Sequence, residues 1–129
     1  MSYLLDTCAL IDFLFAPERL SAKSRDIIAG DNALFVSIAS FWEIMIKQQI
    51  KKLDIDETSA QELRDICQEM GIDILQTEID EIDRIRRLPI IKQHGDPFDR
   101  LIICQAQHRH LPVITSDAKF KLYDVEVVW

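Results

Sequence analysis

Asp96-Pro97-Phe98-Asp99-Arg100-Leu101-Ile102-Ile103, followed ten residues on by Val113-Ile114-Thr115-Ser116-Asp117, is the stretch on which the fold reading turns. Asp at N-cap, Pro at N1 and Asp at N3 form a strong helix start. The apolar spacing carries that helix to about His110. The β-branched run over 113–115 then reads as a strand, and an acid follows it. A helix leading straight into a buried strand is half of a β-α-β unit, so the stretch predicts an α/β protein with a largely parallel sheet.

Working outward, the same alternation recurs. Residues 3–5 read as a strand ending at Asp6, and 9–15 as a short helix stopped by Pro17. A helix over 24–29 is closed by Gly30 as a C′ residue. A strand over 34–36 precedes a helix from Ser40 to about Ile50, with Ser40 and Glu43 fitting a capping box. Residues 58–70 read as a helix followed by Gly71, and 72–75 as a third strand. A helix from Thr77 carries Ile79, Ile82, Ile85 and Leu88 on one stripe and ends at Pro89. Residues 92–95 are a loop, and 125–128 the last strand. There is no internal repeat or linker, and the expectation is one domain over residues 1–129.

Composition narrows the class. The 129 residues are 48% hydrophobic and 29% charged, which suits a packed globular chain. Apolar runs fall well short of the ~20 residues that span a bilayer. The start, MSYLLDTCALIDF, lacks a basic n-region, so the reading is cytoplasmic, with no signal peptide and no membrane partner. A net charge of −7 argues against a general polyanion binder, yet allows a basic rim around an acidic site. Cys8, Cys67 and Cys104 form no C-x-x-C pair, and read as reduced, mostly buried thiols. His108 and His110 fall near a helix C-terminus, where the dipole favours cations. Phe13, Phe15, Phe41 and Trp42 read as core rather than as base-stacking platforms.

The acids carry the chemistry. Asp6 ends the first strand, Glu43 opens the helix after the second, Asp117 follows the fourth, and Asp99 lies in the first turn of the helix leading into it. Open parallel sheets bind ligands outside the carboxyl ends of their strands, so these four could share one cleft. Each also has an ordinary use: a turn, a capping box, a helix-dipole partner or an N-cap. Asp96 is fully explained as a cap. Two carboxylates ~4 Å apart repel by about 4 kcal/mol at an effective dielectric of ~20. Four together require protonation or a cation. Oxygen donors with no Cys or His nearby suit Mg²⁺ or Mn²⁺, and a metal would let a phosphodiester approach an acidic cleft. Lys47, at i+4 from Glu43, and Arg100 read either as surface pairs or as phosphate contacts at the cleft mouth.

The chain resembles the PIN-domain ribonucleases, in particular the VapC-like toxins of type II toxin–antitoxin pairs. The resemblance rests on Tyr3-Leu4-Leu5-Asp6-Thr7, on Ser37-Ile38-Ala39-Ser40-Phe41-Trp42-Glu43-Ile44 with Lys47, on His94-Gly95 and the Asp96–Ile103 block with Gln105-Ala106, and on Val113–Asp117 with Phe120 and Tyr123. It implies a three-layer α/β/α sandwich with a mainly parallel sheet. It implies Mg²⁺- or Mn²⁺-dependent endoribonuclease cleavage, with Asp6, Glu43, Asp99 and Asp117 as the catalytic acids and Asp6, Asp99 and Asp117 as metal ligands. Thr7, Thr115 and Ser116 then become hydroxyls that could hold a carboxylate or a metal-bound water. The implied partners are an RNA substrate, a cognate antitoxin protein and a second copy of the chain in a homodimer. Lys51 stands where this pattern has a glycine at the end of the Glu43 helix. The alternatives are a catalytically silent binding domain of the same fold and a DNA- or structure-specific nuclease. A phospho-acceptor receiver domain fits poorly, since Gln76-Thr77 follows the third strand where such a domain needs an aspartate.

Overall fold

The computed structural model describes residues 1–129. Five short strands, β1 (Ser2–Leu5), β2 (Ala33–Ser37), β3 (Ile72–Leu75), β4 (Val113–Ile114) and β5 (Val127–Val128), form one sheet in the order β3-β2-β1-β4-β5. Every pairing is parallel. Six helices cover it: α1 (Thr7–Phe15), α2 (Ala22–Ala29), α3 (Ile38–Gln49), α4 (Ala60–Glu69), α5 (Ile79–Asp83) and α6 (Pro97–Arg109). The result is the expected three-layer sandwich.

Successive strand residues point to opposite faces, and that alternation separates two cores. Leu5, Leu34, Val36, Ile72 and Ile114 pack with Leu10, Phe41, Ile44 and Leu63 from α1, α3 and α4. Their neighbours Leu4, Leu75 and Val113 pack on the other face with Ile102, Ile103 and Ala106 of α6, and with Phe120 and Tyr123. Strands buried on both faces read as continuous apolar runs, which is why LLFV-type segments predicted them well.

β1 is central, and the chain order reverses between it and β4. The crevice above the strand ends at that reversal is where such sheets bind ligands. Asp6 follows β1 there. Asp117 follows β4. Because α6 runs back against the strands, its N-terminus with Asp99 lies at the same edge.

Several boundaries differ from expectation, each for a local reason. The helix bearing Glu43 begins earlier: Ser37 is the N-cap, its Oγ accepting from the Ala39 amide at 3.0 Å. Ser40 therefore lies inside the first turn, and Glu43 is released from any capping box. Gly30 closes α2 with φ −79, an ordinary extended value, while the Asn32 side-chain amide donates to the Ile27 carbonyl. The α5 helix starts after Glu78 rather than at Thr77, because Glu78 and Glu81 form the capping box. Its expected stripe is only half buried: Leu88 is in the core, whereas Ile79 and Ile82 are exposed. The fully buried residue there is Glu81, held by Arg109 Nε at 2.7 Å. Lys51 has φ +57, the left-handed backbone that favours glycine.

Candidate active site

The four acids do meet at one edge, and their neighbours differ sharply. Asp6 caps α1. Its Oδ1 accepts from the Ala9 amide at 2.8 Å and its Oδ2 from the Thr115 hydroxyl at 2.5 Å. Thr115 Oγ1 in turn accepts from the Asp117 amide at 3.0 Å. One threonine therefore ties the end of β1 to the turn after β4. Asp6 is only 2% exposed. Burial pushes its carboxyl up to about 7, against the Thr115 and Ala9 hydrogen bonds and with help from the Asp99 and Asp117 charges.

Asp99 occupies the first turn of α6, its amide bonded to the Asp96 cap at 2.9 Å. Burial, then the Asp96 charge, raises its carboxyl to about 6, with a contribution from Glu43 and in opposition to a hydrogen bond from His94. Asp117 is half-buried, and its Oδ1 accepts from the Lys119 amide at 2.9 Å. It thus serves as an N-cap and still lies beside the other acids.

Glu43 is 4% exposed and points inward from α3. Lys47 Nζ bonds its Oε2 at 2.8 Å, and that bond raises the Lys47 ammonium although burial alone would lower it. Glu43 Oε1 is buried with no hydrogen-bond partner. An orphaned buried carboxylate oxygen is costly unless something positive meets it. The Glu43 charge reaches Asp99, and those of Asp99 and Asp117 reach Asp6, so these carboxylates form one chain of hard oxygen donors that suits a divalent cation. Thr7 Oγ1 and Ser40 Oγ, 2.8 Å apart, join the first turns of α1 and α3 beneath the site. Ser116 is exposed.

The expectation of a site with no histidine nearby needs correction. His94 lies in the site, 4% exposed, with Nε2 at 3.1 Å from Asp99 Oδ2 and Nδ1 at 2.7 Å from the Tyr123 hydroxyl. Ligand atoms of His94, Asp99 and Asp117 all lie within 4.8 Å of one another. No periodicity marked His94, since it sits in a loop. The available signal was its spacing, five residues ahead of Asp99. Cys8 is also at this edge and is exposed rather than buried. Its thiol is pushed up to about 11 by desolvation first and the Asp6 charge next, so it is a poor nucleophile.

The two basic candidates separate. Lys47 stays at the cleft beside Glu43. Arg100 turns away: its Nη1 donates to the Pro89 carbonyl at 2.9 Å and to the Tyr123 hydroxyl at 3.2 Å. Trp42, which pattern alone assigns to the core, is 64% exposed and meets Phe98 edge to face at 5.1 Å, forming an aromatic rim next to Glu43 and Asp99.

An all-parallel sheet, helices on both faces and acids gathered at the strand reversal define an α/β protein with an acidic strand-end cleft. The family model of the PIN domain matches residues 3–126, and the chain belongs to that family. Its fold is similar to a chain of VapBC2 from Rickettsia felis, solved bound to a DNA fragment from its promoter. That match has a TM-score of 0.70 at 18% identity, covering 99% of this chain and 98% of that one. VapBC-1 from nontypeable Haemophilus influenzae aligns with a TM-score of 0.62 at 20% identity, over 99% and 97% of the two chains. VapBC-5 from Mycobacterium tuberculosis, of the VapBC family of toxin–antitoxin systems, gives 0.62 at 20%, over 98% and 97%. No curated protein matches the chain. No helix is long and apolar enough to cross a membrane.

Proposed function

We propose that the chain, as one PIN-like domain over residues 1–129, is a Mg²⁺- or Mn²⁺-dependent endoribonuclease. We read it as the toxin of a toxin–antitoxin pair, cytoplasmic, working as a homodimer and held inactive by a cognate antitoxin. The observation that carries the enzymatic reading is the unpartnered, buried Oε1 of Glu43, whose charge reaches Asp99, which with Asp117 in turn acts on Asp6 at the strand reversal. The toxin and partner assignments draw on family membership and on the VapBC neighbours.

In this reading Asp6, Asp99 and Asp117 hold the ion, and Glu43 completes the catalytic acids. A bound divalent ion supplies charge neutralisation for the phosphate and a water of lowered pKa. The residues do the rest. Thr115 fixes the Asp6 carboxylate in one orientation, and the Thr7–Ser40 bond holds α1 and α3 together below it. Glu43, buried and half satisfied, is placed to accept a proton. Lys47 pairs with Glu43 Oε2 and presents a cation to an incoming phosphate. Arg100 belongs to the framework of the site, since its Nη1 is already occupied.

The test is cleavage of a total-RNA pool by partner-free chain with Mg²⁺, Mn²⁺ or EDTA, with a DNA pool in parallel. Asp99→Asn, purified identically, controls for contaminating nuclease. Discrete metal-dependent RNA ends that disappear in the variant support the proposal. Cleavage of DNA only, or equal cleavage by the variant, overturns it.

A further inference from the structure

A closed ring of hydrogen bonds lies behind Asp99. Arg100 Nη1 donates to Tyr123 Oη at 3.2 Å, and Tyr123 Oη meets His94 Nδ1 at 2.7 Å. His94 Nε2 then reaches Asp99 Oδ2 at 3.1 Å, and Asp99 is the chain neighbour of Arg100. Both ends of the ring are therefore anchored in the first turn of α6. His94 and Tyr123 are 4% and 5% exposed, and their rings pack at 5.3 Å with a 65° tilt. Neither ring can turn without breaking core contacts that include Phe120.

The proton order follows from the donors. Arg100 has only hydrogens to give, so it fills a lone pair of Tyr123 Oη. The phenol hydrogen is then directed outward, and the 2.7 Å contact to Nδ1 is much shorter than the 3.3 Å alternative to the His94 carbonyl. With Nδ1 accepting, the imidazole N–H is on Nε2 and faces Asp99 Oδ2. Asp99 Oδ1 has no hydrogen-bond donor within the chain.

We infer that His94 is a positioning residue: oriented by Tyr123 and Arg100, it holds Asp99 Oδ2 so that the other oxygen is presented, pre-oriented, to a divalent cation shared with Asp117 and Asp6. The inference rests on the metal-site reading proposed above. A ligand's outer hydrogen-bond partner commonly governs metal affinity by about 10–100-fold.

Mn²⁺ binding to partner-free full-length protein tests it, by calorimetric isotherm and pulsed electron paramagnetic resonance. The variants are chosen by reach. In His94→Gln the side-chain amide can occupy the Nε2 position and keep the donor to Asp99. In His94→Asn it reaches only the Nδ1 position. Tyr123→Phe keeps the ring and deletes the hydroxyl that orients His94. The expected result is affinity near wild type for H94Q, a loss of about 10–100-fold for H94N, and a smaller loss for Y123F. A purely structural role would lower the melting temperature of all three without separating Gln from Asn in affinity. Equal Mn²⁺ affinity in H94N and wild type overturns the inference. So does a ¹⁴N coupling to Mn²⁺ from an imidazole, which would make His94 a ligand. If H94N does not fold, Y123F decides: unchanged affinity there overturns it too. Wild type that binds no Mn²⁺ removes the metal-site reading as well, whereas Mn²⁺ binding lost only in D99N removes this inference alone.

Discussion

Replacing Asp6 by Asn should make the metal-free protein more stable at neutral pH, although it deletes a residue at the heart of the site. Burial lifts the Asp6 carboxyl from its ordinary 3.8 to about 7. The folded chain therefore holds a proton there that the unfolded chain has released. The stability Asp6 contributes is complete below about pH 4 and is lost as pH rises through 7. A displacement of that size corresponds to about 4 kcal/mol at alkaline pH. The amide introduced by D6N carries no charge and escapes that loss. Its carbonyl can still accept from the Ala9 amide, but its NH₂ faces a Thr115 hydroxyl that now needs another acceptor, at about 1–2 kcal/mol. The net gain is about 2 kcal/mol, or a melting temperature higher by about 8 °C for a chain of this size. The assay is thermal unfolding in EDTA at about pH 8 and about pH 5. At the lower value Asp6 is protonated in the folded chain but already ionised in the unfolded one, so only about 1.7 kcal/mol of the loss is present and the advantage should shrink to about zero against the hydrogen-bond cost. Saturating Mn²⁺ should reverse the order at pH 8, since wild type gains binding energy that the variant cannot. A D6N melting temperature displaced from wild type by the same amount at both pH values would refute the reasoning.

Thr115→Val removes the bond to Asp6 and the acceptor of the Asp117 amide. It should lower stability by about 1–3 kcal/mol and weaken Mn²⁺ binding by about 10–100-fold; an unchanged isotherm would leave Thr115 with a folding role only. Arg109→Ala strands the fully buried Glu81, which should destabilise by about 3 kcal/mol in chemical denaturation, with Glu81→Gln recovering part of it in the double variant. Additive effects in that cycle would contradict the pairing. Lys51→Gly relieves a left-handed backbone and should raise stability in chemical denaturation by about 0.5–1 kcal/mol, with RNA cleavage intact. A lowered midpoint would show that the Lys51 side chain does more than tolerate its φ.

Much of the fold was legible because its signals are local. Caps such as Asp96, β-branched runs such as Val113-Ile114, and the placement of Asp6 and Asp117 just past strands depend only on neighbouring residues. The parallel alternation then required the strand ends to share one edge, so four acids scattered from position 6 to 117 could be gathered on paper. Reading failed where two local solutions competed. Ser37 and Ser40 are both good caps, and the choice went to Ser37 because β2 delivers it in extended backbone while Ser40 is drawn to Thr7. The amphipathic stripe of α5 failed because a buried Glu81–Arg109 pair replaced apolar burial there.

By itself, then, the sequence determined the class of fold, the capped start of α6 and the position of Asp6 and Asp117 just past strands, because these follow from periodicity, capping and strand termination. Only the tertiary structure decided how those acids are held. The Thr115–Asp6 bond joins residues 109 apart, and His94 meets Tyr123 across 29. Such contacts have no period and no local propensity. They exist because packing on both faces of the sheet brings β1, β4 and the start of α6 to one point, where burial alters the carboxyls and orients their partners.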